Sequence, residues 1–296
     1  MYDAPVKKAG AAFVALLASF TLTCGGAGAR LEPDAGLDAG PDEGLPDAGD
    51  GGEDAGFDAG PPSPYGQGCS TKQDATGLVL RRGATSKLPR EYYTYVPASY
   101  DPSTLIPLVI SLHGAGDTAA NFVNLWESNA DQKGFMVLVP EASSVLGPGY
   151  TWDTTDTTLI NGAIDDIQRC YNTDLHHQIL HGFSAGGLIA YMMGLGPDDS
   201  RFSGLAIASS DLGTAEVYEA ELKAPPLLPS EWEIPASLFH GEQDPNFPFA
   251  KCGEGSRDAL VDAGHVVYFH PFMGGHTTNA ADALLQYEDL ASSISP

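Results

Sequence analysis

Basic side chains are scarce in this sequence. Its 296 residues include 14 Lys and Arg against 39 Asp and Glu, so the formal net charge is −25 at pH 7. Proteins that bind phosphate groups need clustered lysines and arginines. We therefore exclude nucleic acids and anionic membrane surfaces as partners, and we expect a protein that acts on neutral or apolar molecules.

Motifs that would hold a metal ion or a nucleotide are missing as well. The sequence has no H-E-x-x-H pair of histidines, and its glycine-rich stretch Gly114-Ala115-Gly116 lacks the lysine of a phosphate-binding loop. The chain has only four cysteines, and their spacing excludes a C-x-x-C metal or redox site. We expect neither a metal nor a cofactor.

The apolar run near the N-terminus is too short to cross a bilayer. Ala9–Thr23 follows two lysines, which is the pattern of a secretory signal. Cleavage after Ala27-Gly28-Ala29 would release a soluble protein, whereas Cys24 resembles the lipidated cysteine of a bacterial lipoprotein. We predict that residues 1–29 are an export signal and favour lipid anchoring at Cys24. The protein would then lie outside the cell or on its surface.

Export to an oxidising compartment bears on the other three cysteines, Cys69, Cys170 and Cys252. In such a compartment we expect two of them to form a disulfide and the third to stay a buried thiol. The sequence leaves open which two pair.

Residues 30–64 form an acidic segment in which Asp-Ala-Gly recurs between prolines. Such a segment cannot bury enough apolar surface to offset the entropy of ordering, and its like charges keep it extended. The acidic residues are too loosely spaced for a calcium-binding loop. We predict a disordered tether here, followed by a single domain over residues 65–296 and a monomeric protein.

Strand-like and helix-like patterns alternate within residues 65–296. Pro107–Leu112 and Phe135–Val139 are continuous apolar runs, typical of strands buried on both faces. Apolar residues between them recur at helical spacing until Gly134, and an edge hairpin is predicted over residues 76–82 and 91–96. The alternation predicts an α/β fold with a mostly parallel sheet and helices on both faces. In such sheets, sites lie beyond the carboxyl ends of the strands.

One stretch fits the G-x-S-x-G pattern, with Ser184 at its centre. It lies between strand-like residues 177–181 and helix-like residues 188–193, which is the setting of a nucleophile elbow. The glycines at positions 182 and 186 leave room in a sharp turn, so the Ser184 hydroxyl can stand exposed above the sheet. Ser184 is therefore the candidate nucleophile.

A serine hydroxyl attacks only when a base takes its proton, and the base needs a group that orients it. On this kind of fold an acid and then a histidine follow the serine along the chain. Of the eight histidines, His276 alone follows the last predicted strand, so it is the candidate base. Asp244, in a turn before a proline, is the candidate acid. Glu242 is its rival, and Asp211 is a weaker alternative.

The negatively charged oxygen formed in such a reaction needs backbone N–H donors. We expect one at Ala185, directly after Ser184, and the other at Ala115 in the loop after the first buried strand. Each such donor stabilises a transition state by about 2.7–4 kcal/mol. His113, at the start of that loop, is a candidate substrate contact, although a buried role in supporting the loop is favoured.

Five motifs occur in the order of a known family. They are Leu112-His113-Gly114, Thr151-Trp152-Asp153, Gly182-Phe183-Ser184-Ala185-Gly186-Gly187, His240-Gly241-Glu242-Gln243-Asp244 and Gly275-His276. From about Cys69 to the C-terminus, the chain resembles the α/β-hydrolase esterases grouped with polyhydroxybutyrate depolymerases and feruloyl or acetylxylan esterases.

The resemblance implies a serine carboxylic ester hydrolase that acts on polyester or plant-polysaccharide ester bonds without a cofactor. Ser184, Asp244 and His276 would form its catalytic triad. The resemblance also implies that Trp152 lines the acyl or aromatic side of the cleft, whereas the residues themselves equally allow a packing role.

Several questions stay open. Many relatives have further cysteines where this chain has Thr151 and Gly275. The passage Asp211–Glu233 could form a lid or an inert surface excursion. Two other functions also fit the fold: a peptidase or amidase with the same triad, and a non-catalytic surface-binding module.

Overall fold

A computed structural model describes residues 76–84, 89–196, 201–221, 226–230 and 232–293. The predicted export signal (1–29), the tether (30–64) and Cys69 lie outside these residues. None of the helices in the described ranges has the length and apolar character needed to cross a lipid bilayer.

A mostly parallel sheet forms the centre of the domain. The strands along the described chain are β1 (Gly77–Ala84), β2 (Pro89–Val96), β3 (Ile106–Leu112), β4 (Met136–Pro140), β5 (Ser144–Leu146), β6 (Gly149–Thr151), β7 (Thr173–Phe183), β8 (Gly204–Ala208), β9 (Ala236–Gly241) and β10 (Val267–Phe272). Eight of them form one sheet in the order β1-β2-β4-β3-β7-β8-β9-β10, and β5 pairs with β6 in a separate hairpin. β1 and β2 are antiparallel to their neighbours, and all other pairs in the large sheet are parallel.

The helices connect these strands. They are α1 (Ala119–Phe122), α2 (Glu127–Lys133), α3 (Asp156–Cys170), α4 (Ala185–Leu195), α5 (Leu212–Glu221), α6 (Phe249–Asp262) and α7 (Ala280–Ser293). α2 ends at Gly134, which has φ 73° and closes the helix in the left-handed conformation that glycine adopts at low cost.

Successive side chains of a buried strand point to opposite faces of the sheet. Both faces are therefore apolar, and helices cover each of them. In β3, Leu108 and Ile110 belong to one apolar cluster, which includes buried side chains of α3, α4 and α6. Val109 belongs to a second cluster, with side chains of α1, α2 and α7. The predicted α/β architecture is therefore confirmed.

The predicted edge hairpin, buried strands and flanking helices are all present, but three details differ. The helix predicted before Gly134 is interrupted by a 3-10 turn at Val123–Leu125. The β5–β6 hairpin was not predicted. Part of the passage Asp211–Glu233, for which a lid and an inert surface excursion were both open, is α5, whose Leu212 and Ala215 are buried in the core, so this helix belongs to the scaffold. Residues 222–225 and 231 of that passage lie outside the described residues.

The two described cysteines are both fully buried. Cys170 ends α3 and Cys252 lies in α6, and neither is a free thiol. Cys69 lies outside the described residues, so the prediction that two of the three cysteines pair, with the pair left open, stays a prediction.

Candidate active site

Ser184 lies at the sharp turn between β7 and α4. Its backbone has φ 55° and ψ −120°, a conformation that a residue with a side chain rarely adopts. Strain of this kind persists only where the surrounding structure enforces it, and it occurs often at functional sites. The turn places the Ser184 side chain beyond the carboxyl end of β7.

Two glycines make this turn sterically feasible. A Cβ added at Gly182 would lie 2.4 Å from the carbonyl oxygen of Gly186, and one added at Gly186 would lie 2.2 Å from the carbonyl oxygen of Leu112. Both obstacles are backbone atoms, which cannot move aside as a flexible side chain can. Each glycine is therefore required by close backbone approach.

Replacing Gly186 by alanine is expected to lower the free energy of unfolding by about 3 kcal/mol, since the end of β3 or the turn must shift to admit the methyl group. Ester hydrolysis should fall in parallel. Chemical denaturation monitored by fluorescence measures the change. Gly255→Ala in α6 is the matched control, because nothing lies within 4 Å of the added Cβ there. Equal stability of Gly186→Ala and the unaltered chain would contradict the steric argument.

Ser184 is joined by hydrogen bonds to two side chains far away in sequence. The Ser184 hydroxyl lies 2.8 Å from Nε2 of His276, and Nδ1 of the same ring lies 2.8 Å from Oδ2 of Asp244. A carboxylate can only accept, so Nδ1 carries the hydrogen and Nε2 faces the serine as an acceptor. His276 follows β10 and Asp244 follows β9, so all three groups lie at one edge of the sheet.

Asp244 is held as an anion by several donors. Its Oδ1 accepts hydrogen bonds from the backbone N–H groups of Asn246 (2.8 Å) and Phe247 (2.9 Å). Burial raises the pKa of the Asp244 carboxyl, but the hydrogen bonds from His276 and from these two amides outweigh burial and hold the pKa below its usual range. The ring of His276 is thus oriented by a charged partner.

The two rival acids lie elsewhere. Glu242 is exposed to solvent. Asp211 is buried and accepts from the backbone N–H and the hydroxyl of Thr214. Among the described carboxylates, only Asp244 is hydrogen-bonded to His276.

The loop after β3 lies over Ser184. A Cβ at Gly114 would lie 2.9 Å from the Phe183 ring and 3.5 Å from Cβ of Ser184, so glycine lets the loop approach closely. The amides of Ala115, in this loop, and Ala185, at the start of α4, take no part in hydrogen bonds with the described residues. They are therefore free to act as donors to a ligand at Ser184.

The unpredicted β5–β6 hairpin holds this loop from the side. The amide of Gly116 donates to the carbonyl of Tyr150 (2.7 Å), and the amide of Tyr150 donates to the carbonyl of Asp117 (2.9 Å). Gly149 makes the contact possible, since a Cβ there would lie 2.2 Å from the carbonyl oxygen of Gly116. The hairpin thus fixes the loop that carries Ala115.

His113 and Trp152 lie beneath the loop, and neither has surface to offer a substrate. Both side chains are fully buried, and the indole N–H of Trp152 donates to the carbonyl of His113 (2.7 Å). The two rings pack with their centroids 4.9 Å apart. The prediction that these two residues contact the substrate is therefore corrected. The Trp152 indole packs in the interior, and His113 has the supporting role that was favoured for it.

Sequence reasoning missed several residues around the triad. The buried ring of His240 lies beside Asp244, with Nε2 3.7 Å from Oδ2, and it donates to the carbonyl of Phe247 (2.8 Å). Burial lowers the pKa of His240. Rings of Phe183 and Phe247 flank His276, with centroids 4.9 and 5.7 Å away. Only the position of His240, four residues before Asp244 at a strand end, gave any signal in the sequence.

Part of this chain is similar in sequence to a known protein. No protein-family profile matches the chain. A bifunctional acetylxylan esterase/xylanase, XynS20E, from Neocallimastix patriciarum is 35% identical over 108 residues, a match that covers 34% of this chain and 15% of that protein. The match therefore spans less than a fifth of the length of that relative.

Solved structures resemble this chain over most of the described domain. A ferulic acid esterase superposes with a TM-score of 0.54 at 15% identity, covering 73% of this chain and 96% of its own. Esterase PE8 superposes with a TM-score of 0.52 at 23% identity, covering 68% of this chain and 97% of its own. These likenesses, with the sheet order, establish the α/β-hydrolase fold.

Proposed function

We propose that this protein is a serine carboxylic ester hydrolase. Ser184 would be the nucleophile, His276 the general base and acid, and Asp244 the group that orients the His276 ring. The observation that carries the proposal is the unbroken series of hydrogen bonds, each 2.8 Å long, from the Ser184 hydroxyl through His276 to Asp244. The reaction needs no cofactor.

The geometry suggests how each step would proceed. His276 Nε2 takes the hydroxyl proton as Ser184 Oγ attacks the ester carbonyl, and Asp244 stabilises the imidazolium without taking a proton itself. The amides of Ala115 and Ala185 receive the developing oxyanion. The imidazolium then protonates the leaving alcohol, and a water molecule, activated by the same ring, releases the acid from the acyl-enzyme.

We also propose the class of ester on which the enzyme acts. The names of the similar proteins point to acetylated or feruloylated polysaccharide, and the sequence resemblance adds polyesters of hydroxybutyrate type. All three need the same triad and differ in the shape of the surrounding loops. Of these, we favour an ester of plant polysaccharide, because the similar sequence is named for acetylxylan and a similar structure is named for ferulic acid esters.

The location of the enzyme is also a proposal, supported by the sequence alone. The apolar run before Cys24, and Cys24 itself, support export and a lipid anchor on the outside of the cell. Residues 30–64 would then act as the spacer between membrane and enzyme.

A hydrolysis panel tests the proposal. The substrates are p-nitrophenyl acetate, acetylated xylo-oligosaccharide, methyl ferulate, hydroxybutyrate oligomers and acetyl p-nitroanilide. We expect turnover of esters well above that of the anilide, and a loss of about a million-fold in kcat for Ser184→Ala. Ser292→Ala, on the exposed face of α7, is the control and should leave kcat unchanged.

Three results would contradict the proposal. Ester turnover that survives Ser184→Ala would remove Ser184 as the nucleophile. Faster cleavage of the anilide than of the ester would favour the peptidase or amidase alternative. Absence of turnover, together with saturable binding of an acetylated or feruloylated polysaccharide, would favour a binding module.

A further inference from the structure

We propose that Glu141 and His113 are positioning residues that orient and polarise the Ala115 amide as an oxyanion donor. This Glu141–His113 pair contacts the loop through the carbonyl oxygen of Gly114, and neither side chain takes part in the hydrogen bonds that join Ser184, His276 and Asp244. The inference rests on the proposed function, because it concerns the same transition state.

The first contact fixes a peptide plane. His113 Nδ1 lies 2.8 Å from the carbonyl oxygen of Gly114, and the amide of Asp117 donates to the same oxygen (3.2 Å). In a planar trans peptide, the C=O of Gly114 and the N–H of Ala115 point in opposite directions. Holding the carbonyl toward His113 therefore directs the Ala115 N–H away from it. A donor on the carbonyl also makes the N–H of that peptide a stronger donor.

The second contact keeps the His113 ring in the required orientation. Nε2 lies 3.0 Å from Oε1 of Glu141 and 3.3 Å from the amide nitrogen of Ala142. A neutral ring accepts from Ala142 at Nε2, and a protonated ring donates to Glu141 there. The Gly114 carbonyl can only accept, so its contact with Nδ1 is a hydrogen bond in the forms of the ring, neutral or protonated, that carry a hydrogen on Nδ1. The negative charge of Glu141 strengthens that donor.

The pair is held rigidly. Both carboxylate oxygens of Glu141 lie 3.2 Å from the amide nitrogen of Ala119, which begins α1. The His113 ring is fully buried between the rings of Trp152 (4.9 Å) and Phe122 (6.4 Å). Among the described residues, Glu141 is the only titratable group that forms an ion pair with His113. Packing thus leaves the His113 ring little room to rotate, and the orientation of the ring depends on its contact with Glu141.

Weakening the Ala115 amide as a donor should destabilise the transition state and not the bound substrate. An oxyanion donor acts on the tetrahedral state and not on the bound ester, so weakening it lowers kcat and leaves KM unchanged. Complete loss of one donor costs about 10²- to 10³-fold in kcat. Loosening the Ala115 amide should cost part of that factor.

The test compares truncations with conservative replacements on p-nitrophenyl acetate. We expect His113→Ala to lower kcat about 10- to 100-fold at constant KM, since the amide is misdirected but still present. His113→Asn should recover most of the loss, because its side-chain N–H₂ can reach the Gly114 carbonyl from the position of Nδ1. Glu141→Ala should lower kcat about tenfold, with Glu141→Gln between it and the unaltered enzyme. Glu254→Gln, in an exposed ion pair, is the control.

A second measurement separates this role from general support of the fold. A boronic acid that forms a tetrahedral adduct on Ser184 should lose affinity by the same factor as kcat/KM in each variant. If His113→Ala fails to fold, His113→Asn and Glu141→Ala decide the question. Unchanged kcat in Glu141→Ala, or a loss carried by KM, overturns the role of the pair while Ser184-dependent hydrolysis stands. Absence of Ser184-dependent hydrolysis in the unaltered enzyme overturns the proposed function first.

Discussion

Replacing His276 by alanine is expected to lower kcat for ester hydrolysis about a million-fold, with KM little changed. The Ser184 hydroxyl then loses the only described side chain placed to take its proton, which is Nε2 at 2.8 Å. Steady-state kinetics on p-nitrophenyl acetate measure the loss. The double variant that also carries Ser184→Ala should be no slower than either single variant, because the two groups act as a unit.

His177→Ala is the matched control for this experiment. His177 also pairs with an aspartate, at 2.6 Å from Asp174, but this pair lies at the partly exposed amino-terminal half of β7, away from Ser184. Its removal should leave kcat unchanged. A His276→Ala enzyme that retains more than about a hundredth of the original kcat would show that another base serves Ser184.

Replacing Asp244 by asparagine is expected to lower kcat about 10⁴-fold near neutral pH. The asparagine amide can donate to Nδ1 of His276, which places the ring hydrogen on Nε2, where it faces the Ser184 hydroxyl. The ring then cannot accept the serine proton, although its position is preserved. Glu242→Gln, which removes the exposed rival carboxylate, should retain full activity. The reverse ranking of these two variants would assign the acid to Glu242.

The same substitution should change how stability depends on pH. The folded-state pKa of Asp244 lies below that of an unfolded aspartate, which is about 3.9. The carboxylate therefore contributes stability that is fully present above about pH 5 and is lost as pH falls through the folded-state pKa. Asp244→Asn should flatten this part of the curve of unfolding free energy against pH. An identical acid dependence in the two proteins would contradict the assigned hydrogen bonds.

The sequence was sufficient for the scaffold and for the order of the triad. Continuous apolar runs marked strands buried on both faces, and glycines at positions 182 and 186 marked a turn that admits no side chain. Ser184, Asp244 and His276 could be placed together because parallel strands present their carboxyl ends at one edge. Chain order then limited the choice of histidine.

Apart from the supporting role favoured for His113, the supports of the site could not be predicted, because they depend on tertiary contacts. Nothing in Thr151-Trp152-Asp153 tells which way the indole points, and it is turned inward by the carbonyl of His113. Glu141 and His240 follow or end strands like many other polar residues, and their partners are set by packing across the sheet. The β5–β6 hairpin has three residues in each strand, too few for a periodic signal.

The most direct test of the account is the site and rate of covalent modification by a fluorophosphonate, a reagent that reacts only with an activated serine. The account predicts a single adduct, mapped by mass spectrometry to the peptide that contains Ser184, with labelling abolished in Ser184→Ala and strongly slowed in His276→Ala. An adduct on another serine, or labelling of His276→Ala at the original rate, would show that the hydroxyl at the turn after β7 is not activated by the imidazole that contacts it.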